Sequence, residues 1–286
     1  MEMPMTAHTA PADLHITPRN VAFGRGQSHP RWWMGGDPVA TAFYNALSLS
    51  FPAGEGYFVQ SVRHYLNELP EPLRSQVADF AQQEAYHSRE HIAFNRQVHD
   101  AGYETKEIEA LNREDARRGR DMEPEVNLAA TSALEHFTAM FAHALLADER
   151  HLAGAPAEVR RLWQWHAVEE IEHKGVAFDT FMYVTRDLSP SKRWLFRVMV
   201  MWQATNDFRK ERTRDLHLLL QQDNIDTPKT WRKLALFLFF KPGMLRQVFL
   251  PYLAYYLPGF HPWAHDDRKL AHKVERSLKL DEVALA

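Results

Sequence analysis

The stretch FAQQEAYHSREH, residues 80–91, sets Glu84, His87 and His91 three and four residues apart. In a helix that spacing gathers one carboxylate and two imidazoles on a single face. WHAVEEIEHKG, residues 165–175, repeats the chemistry with His166, Glu170 and His173. Carboxylate with imidazole is ligand chemistry for divalent metals. The chain contains no cysteine and 16 histidines. Thiolate nucleophiles, disulfides, zinc fingers and Cys-ligated clusters are therefore excluded, and imidazole is the nitrogen ligand at hand.

The helices that carry these motifs must also bury them. Val77, Phe80, Glu84, His87, His91, Phe94 and Val98 follow alternating steps of three and four, the spacing of a buried seam. Val159, Trp163, His166, Glu170, His173 and Ala177 do the same, with Val184 seven residues on along the same seam. Both seams are apolar at the ends and ionisable at the centre. An unpartnered carboxylate there is costly to bury, and a bound metal resolves the conflict. Each seam holds one Glu-x-x-His unit, Glu84 to His87 and Glu170 to His173. Two further carboxylates sit in apolar surroundings. Glu55 follows Pro52 in SFPAGEGYF, and Glu135 is the lone acid between Asn127 and Ala147.

The order Glu, Glu-x-x-His, Glu, Glu-x-x-His on four successive helices is the two-metal carboxylate pattern of four-helix bundles. It predicts six ligands, Glu55, Glu84, His87, Glu135, Glu170 and His173, around two metal ions, with Glu55 or Glu135 bridging. His91 and His166 are additional candidates, either as ligands or as hydrogen-bond partners of ligands. Glu169 is an alternative ligand one step off the seam, and Glu172 is expected on a solvated face.

The elements that position these residues read as helices throughout, so the expected class is all-α. Asp37-Pro38, Ser189-Pro190 and Thr227-Pro228 each place a capping side chain before a proline at the first helical position. The first helix is expected over 38–67 with a break at Pro52. Others follow over 72–100, ending at Ala101-Gly102, over 125–150, over 157–186 and from Ser189 onward. The chain divides into a flexible N-terminal tail (1–30), a four-helix bundle carrying the site (31–188) and a C-terminal helical extension (189–286).

FPAGEGYF, QEAYHSREH, EHFTAM and WHAVEEIEHKGVAFD together resemble the ferritin-like di-iron carboxylate proteins. More narrowly, they resemble a bacterial family of predicted metal-dependent hydrolases. The resemblance implies a ferritin-like four-helix bundle with added C-terminal helices. It also implies two metal ions, iron first and manganese second. Three functions follow as expectations: a di-iron oxidase or oxygenase acting on an apolar, lipid-like substrate, a hydrolase using water activated by two metals, and a non-enzymatic metal-binding protein.

The net charge of −3 gives no general case for nucleic-acid binding. From Thr227 to His265 there is no Asp or Glu, while Lys229, Arg232, Lys233, Lys241 and Arg246 interleave with aromatic residues. That composition suits helices packed on the bundle, or a peripheral membrane contact through 227–265. No apolar run reaches the ~18–20 residues of a membrane span, so the expected location is cytoplasmic or membrane-peripheral. The other expected partners are a redox protein, since no flavin or nicotinamide fingerprint is present, and a second copy in a homodimer.

Overall fold

The computed structural model describes residues 9–280, and among them there are helices and no strands. Four long helices surround the site: α1 (Pro38–Arg63), α2 (Leu73–Asp100), α4 (Pro124–Ala147) and α5 (Ala157–His173). Helix α1 packs on α2, and α4 on α5; the pairs meet through α1 with α4 and α2 with α5. The charged connection between α2 and α4 forms α3 (Lys106–Arg120), which lies along α1. Beyond the bundle come α6 (Val176–Val184), α7 (Pro190–Gln222), α8 (Pro228–Phe239), α9 (Met244–Ala254) and α10 (Arg268–Leu278).

The three capped prolines start helices as expected. The side chain of Asp37 accepts from the Val39 and Ala40 amides, that of Ser189 from Lys192 and that of Thr227 from Thr230. Gly102, just past α2, has φ +96°, a conformation that suits glycine at a helix end.

Three expectations need correction. Pro52 does not break α1, which runs on through it. A proline leaves the carbonyl four residues earlier without its helical donor. Here that carbonyl belongs to Ser48, and Asn95 Nδ2 from α2 donates to it at 3.1 Å. The expected helix over 157–186 is two helices, parted at Lys174-Gly175. A Cβ on Gly175 would lie 2.8 Å from Trp263 Nε1, so the chain bends where a later segment comes close.

The third correction concerns the N-terminal segment. Residues 1–8 lie outside the described residues. Of the rest, Ile16, Arg19 and Phe23 are buried, and Arg19 is only 1% exposed. The segment is a strap across α2 and α5, not a free tail. Its anchor is an arginine, which composition alone does not mark as buried.

No single helix among the described residues is long and apolar enough to cross a membrane; α8 and α9 together reach that length but are bent by 58°.

Candidate metal centre

All six sequence-predicted ligands are buried and converge between the four bundle helices. Glu55 comes from α1, Glu84 and His87 from α2, Glu135 from α4, and Glu170 and His173 from α5. His173 Nε2 lies 3.2 Å from Glu84 Oε1, 3.3 Å from Glu135 Oε2 and 3.5 Å from Glu170 Oε2. His87 Nδ1 lies 3.6 Å from both Glu84 Oε1 and Glu170 Oε1. His166 Nε2 lies 2.8 Å from Glu170 Oε1 and 4.0 Å from Glu55 Oε1.

These spacings fit metal coordination. Two donors held at ~2.1 Å from one ion are ~3 Å apart when at right angles and ~4.2 Å apart when opposed. Every separation above lies close to or within that interval. The donors fall into two groups, Glu84–Glu135–His173 at one end and Glu55–His87–His166 at the other, linked by a third, Glu84–His87–Glu170. Glu170 reaches both ends, with Oε1 toward His166 and His87 and Oε2 toward His173. Glu84 also faces His87 and His173. The positions between the two groups therefore belong to Glu84 and Glu170, rather than to Glu55 or Glu135 as the helix order suggested.

Unmet hydrogen bonding supports the fit. Among the described residues, sixteen buried side-chain polar atoms have no hydrogen-bond partner. Eight of them belong to this cluster: Glu55 Oε1, both oxygens of Glu84 and of Glu135, Glu170 Oε2, His87 Nδ1 and His173 Nε2. Buried polar atoms are rarely left so in folded proteins, and such a concentration calls for an explanation. Metal ions held by these donors would supply one, since their positive charge would offset that of the carboxylates.

Each imidazole is oriented by a partner on its far side, which leaves the near nitrogen free to ligate. His87 Nε2 donates to Glu169 Oε2 at 3.0 Å. His173 Nδ1 donates to Gln83 Oε1 at 2.9 Å. Ser48 Oγ gives its hydrogen to Asn95 Oδ1 at 2.7 Å, so it accepts from His91 Nδ1 at 2.8 Å. His91 Nε2 and His166 Nδ1 are hydrogen-bonded at 2.7 Å, and His166 Nε2 faces the cluster, 2.8 Å from Glu170 Oε1. Of the two additional candidates, His166 thus joins the donor set. His91 spends both ring nitrogens and holds His166 in place.

Glu169 and Glu172 are corrected by the same geometry. Glu169 faces away from the cluster and also accepts from the Arg19 amide at 3.0 Å and from Trp165 Nε1 at 3.1 Å. Glu172 is buried rather than solvated. It receives Arg19 Nη2 at 2.6 Å and Gln83 Nε2 at 2.9 Å. Arg19 also pairs with Glu275 of α10. A single buried arginine therefore ties the N-terminal strap, α5 and α10 together behind two of the three imidazoles. No sequence motif marked Arg19, Gln83, Ser48 or Asn95. The groups they hold lie 43 or more residues away along the chain, and only folding brings them near.

The electrostatics are those of crowded buried acids. Burial pushes Glu55 and Glu84 well above the usual carboxylate range, with neighbouring carboxylates adding to it. Burial likewise brings Glu135 up to about 7 despite the nearby His173. Burial also acts against the charged forms of Glu170 and His173, but their mutual attraction outweighs it and holds both charged. His87 is driven well below the usual histidine range by burial and by His166. Metal binding to such a cluster would release protons.

The cluster opens on one side. Glu55, His166 and Glu170 form part of the wall of a cavity of about 760 Å³ between α1, α3, α4, α5 and α7. Phe51, Leu134, Phe137, Phe141, Trp163 and Phe208 give it a largely apolar lining. Asp115, Arg118, Asp207, Lys210 and Glu211 lie at its polar part.

No curated protein and no solved structure matches the chain. A family model does, over residues 17–266, which takes in most of the strap, all seven donors and the helices around the cavity. The chain belongs to the family described as predicted metal-dependent hydrolase.

Proposed function

We propose that this chain is a two-metal enzyme that acts on an apolar, lipid-like small molecule held in the 760 Å³ cavity. The observation that carries this reading is the seven-residue donor set of Glu55, Glu84, His87, Glu135, His166, Glu170 and His173, with three of its members on the cavity wall. A metal site buried on all sides could be structural, whereas one that opens onto a ligand-sized, mainly apolar cavity has room for a substrate. Glu84 and Glu170, which face both donor groups, would hold both ions, in the manner of the ferritin-like carboxylate proteins that the sequence resembles.

Hydrolysis is the reading that the family description supports. Two bound ions would supply Lewis acidity and an acidified water. The protein side chains orient three imidazoles, keep the cluster dry and place an apolar substrate beside it. Oxygen-dependent oxidation is the second reading, with iron in the site. A donor set made only of carboxylate and imidazole suits iron or manganese, and aromatic walls shield a strong oxidant from bulk water. That reading needs an electron donor, for which a redox partner protein is proposed.

One pair of measurements separates the two. Protein loaded anaerobically with Fe(II) and then exposed to O2 develops an oxo-bridged di-iron absorption under the oxidation reading. Under the hydrolysis reading, metal-loaded protein cleaves apolar nitrophenyl esters without O2, and Glu84→Ala abolishes the cleavage. Loss of neither activity on removing the metal would overturn both.

A further inference from the structure

We infer that the outer face of α7, α8 and α9 is a docking surface for an anionic lipid bilayer. Among the described residues, fourteen large apolar side chains are exposed, and eleven of them fall between Leu188 and Leu257. Leu195, Met199 and Trp202 lie four and three residues apart on one stripe of α7, and Trp202 is 63% exposed. Phe240, Phe249 and Leu250 project from the end of α8 and from α9, with Leu250 73% exposed. The two regions adjoin. Arg197 of α7 donates to the carbonyls of Tyr255 and Leu257 just past α9, Trp194 Nε1 donates to the Tyr256 carbonyl at 2.9 Å, and Thr205 meets the Tyr252 hydroxyl at 3.1 Å. A patch of this kind on a folded surface marks an interaction site.

Charge selects the occupant. Acids are absent not only from 227–265 but also from 188–206, the part of α7 that carries the exposed stripe. Lys229, Arg232, Lys233, Lys241 and Arg246 are all exposed, and among the described residues only Lys233 of these five meets an acid, Asp37 at 2.9 Å. A second copy of the same face would set like charges against each other. A bilayer with anionic headgroups offers the complementary charge and an apolar layer beneath it. The helices lie on such a surface rather than cross it. Each of α8 and α9 is far shorter than the ~20 residues of a span, and Leu234, Met244 and Val248 are buried. The opposite side of α7, through Val200, Ala204 and Phe208, lines the cavity. One helix therefore separates the proposed bilayer contact from the proposed substrate space, although the docking inference does not depend on the metal chemistry.

Flotation tests it, using vesicles of phosphatidylcholine alone and with one third phosphatidylglycerol. The full chain should float with the anionic vesicles at low salt and dissociate as salt rises. Lys241→Gln and Arg246→Gln should each lower the partition by about fivefold. Leu250→Gln and Trp202→Gln should each lower it by about tenfold or more. Both apolar side chains are exposed, so these variants should melt like the parent. Failure of the parent to float at low salt overturns the inference, as does flotation indifferent to both apolar replacements. Concentration-dependent dimerisation abolished by Leu250→Gln, without vesicle binding, would assign the face to a second copy instead.

Discussion

Replacing Arg19 by Met tests how the metal cluster is held from behind. Arg19 is 1% exposed, and its guanidinium meets Glu169 at 3.3 Å, Glu172 at 2.6 Å and Glu275. Methionine keeps much of the volume but leaves Glu169 and Glu172 buried without their cation. Removing one partner of a buried ion pair costs about 3–5 kcal/mol. For a chain of this size each kcal/mol is worth about 2–4 °C, so melting should fall by roughly 6–20 °C. The second effect is local. Glu169 fixes the ring of His87, and losing such an outer partner lowers metal affinity by about 10–100-fold. Thermal unfolding reads the first effect, and competition with a chelator reads the second. The double variant Arg19→Met/Glu172→Gln removes one of the stranded charges, so it should recover part of the lost stability. A single variant that melts within a couple of degrees of the parent would refute the strap's role. So would a double variant whose loss equals the sum of the two single losses, because contacting groups should couple.

Elemental analysis should find two divalent ions per chain, and metal at about 100 times its Kd should stabilise the protein by about 2.7 kcal/mol. Glu84→Ala should abolish most of that gain, since Glu84 faces both donor groups; an undiminished gain would place the metals elsewhere. His166→Ala should weaken metal binding more than His91→Ala, because of the two only His166 turns a ring nitrogen toward the carboxylates of the cluster; equal losses in chelator competition would contradict that placement. Glu211, near the polar part of the cavity, is raised to about 7 by burial. Its folded form binds a proton more tightly than its unfolded form, so its penalty grows from about pH 4.5 and is complete above about pH 7. Glu211→Gln should therefore raise the melting temperature above pH 7 and leave it unchanged below pH 4.5; the opposite pH dependence would refute the burial argument.

The ligands were legible because their chemistry conflicts with their surroundings. Glu55, Glu84, Glu135 and Glu170 are acids on faces that otherwise read as core, and each is buried. The helices that carry them were legible from capped prolines and seam spacing. What held those helices in shape was not. Pro52 signals a break, and only the partner helix shows why none occurs, since Asn95 takes up the stranded Ser48 carbonyl. The strap was hidden for a related reason. Residues 9–36 contain no regular element apart from turns, and their burial depends on Arg19 reaching acids 150 or more residues away. Local pattern carries no information about pairs so distant in sequence.

Helix α5 shows where a sequence argument of this kind becomes ambiguous. His166, Glu170 and His173 occur at i, i+4 and i+7, and so do Trp165, Glu169 and Glu172. Both triplets form a stripe, the two stripes are neighbours, and each holds at least one buried acid. Periodicity cannot say which faces the metals. Chemistry decides it: a metal stripe needs nitrogen donors as well as carboxylates, and only the first supplies two imidazoles. The second supplies an indole and two acids, which suit a guanidinium. In the structure the first stripe faces the cluster, and the second faces Arg19 and its strap. One helix thus carries two acidic faces in different settings, a cationic side chain on one side and the candidate metal cluster on the other. Exchanging Glu169 and Glu172 for glutamine should therefore weaken the strap before it empties the site, whereas Glu170→Gln should act in the reverse order. Chelator competition and thermal unfolding on the same three variants would show whether the two faces are separable.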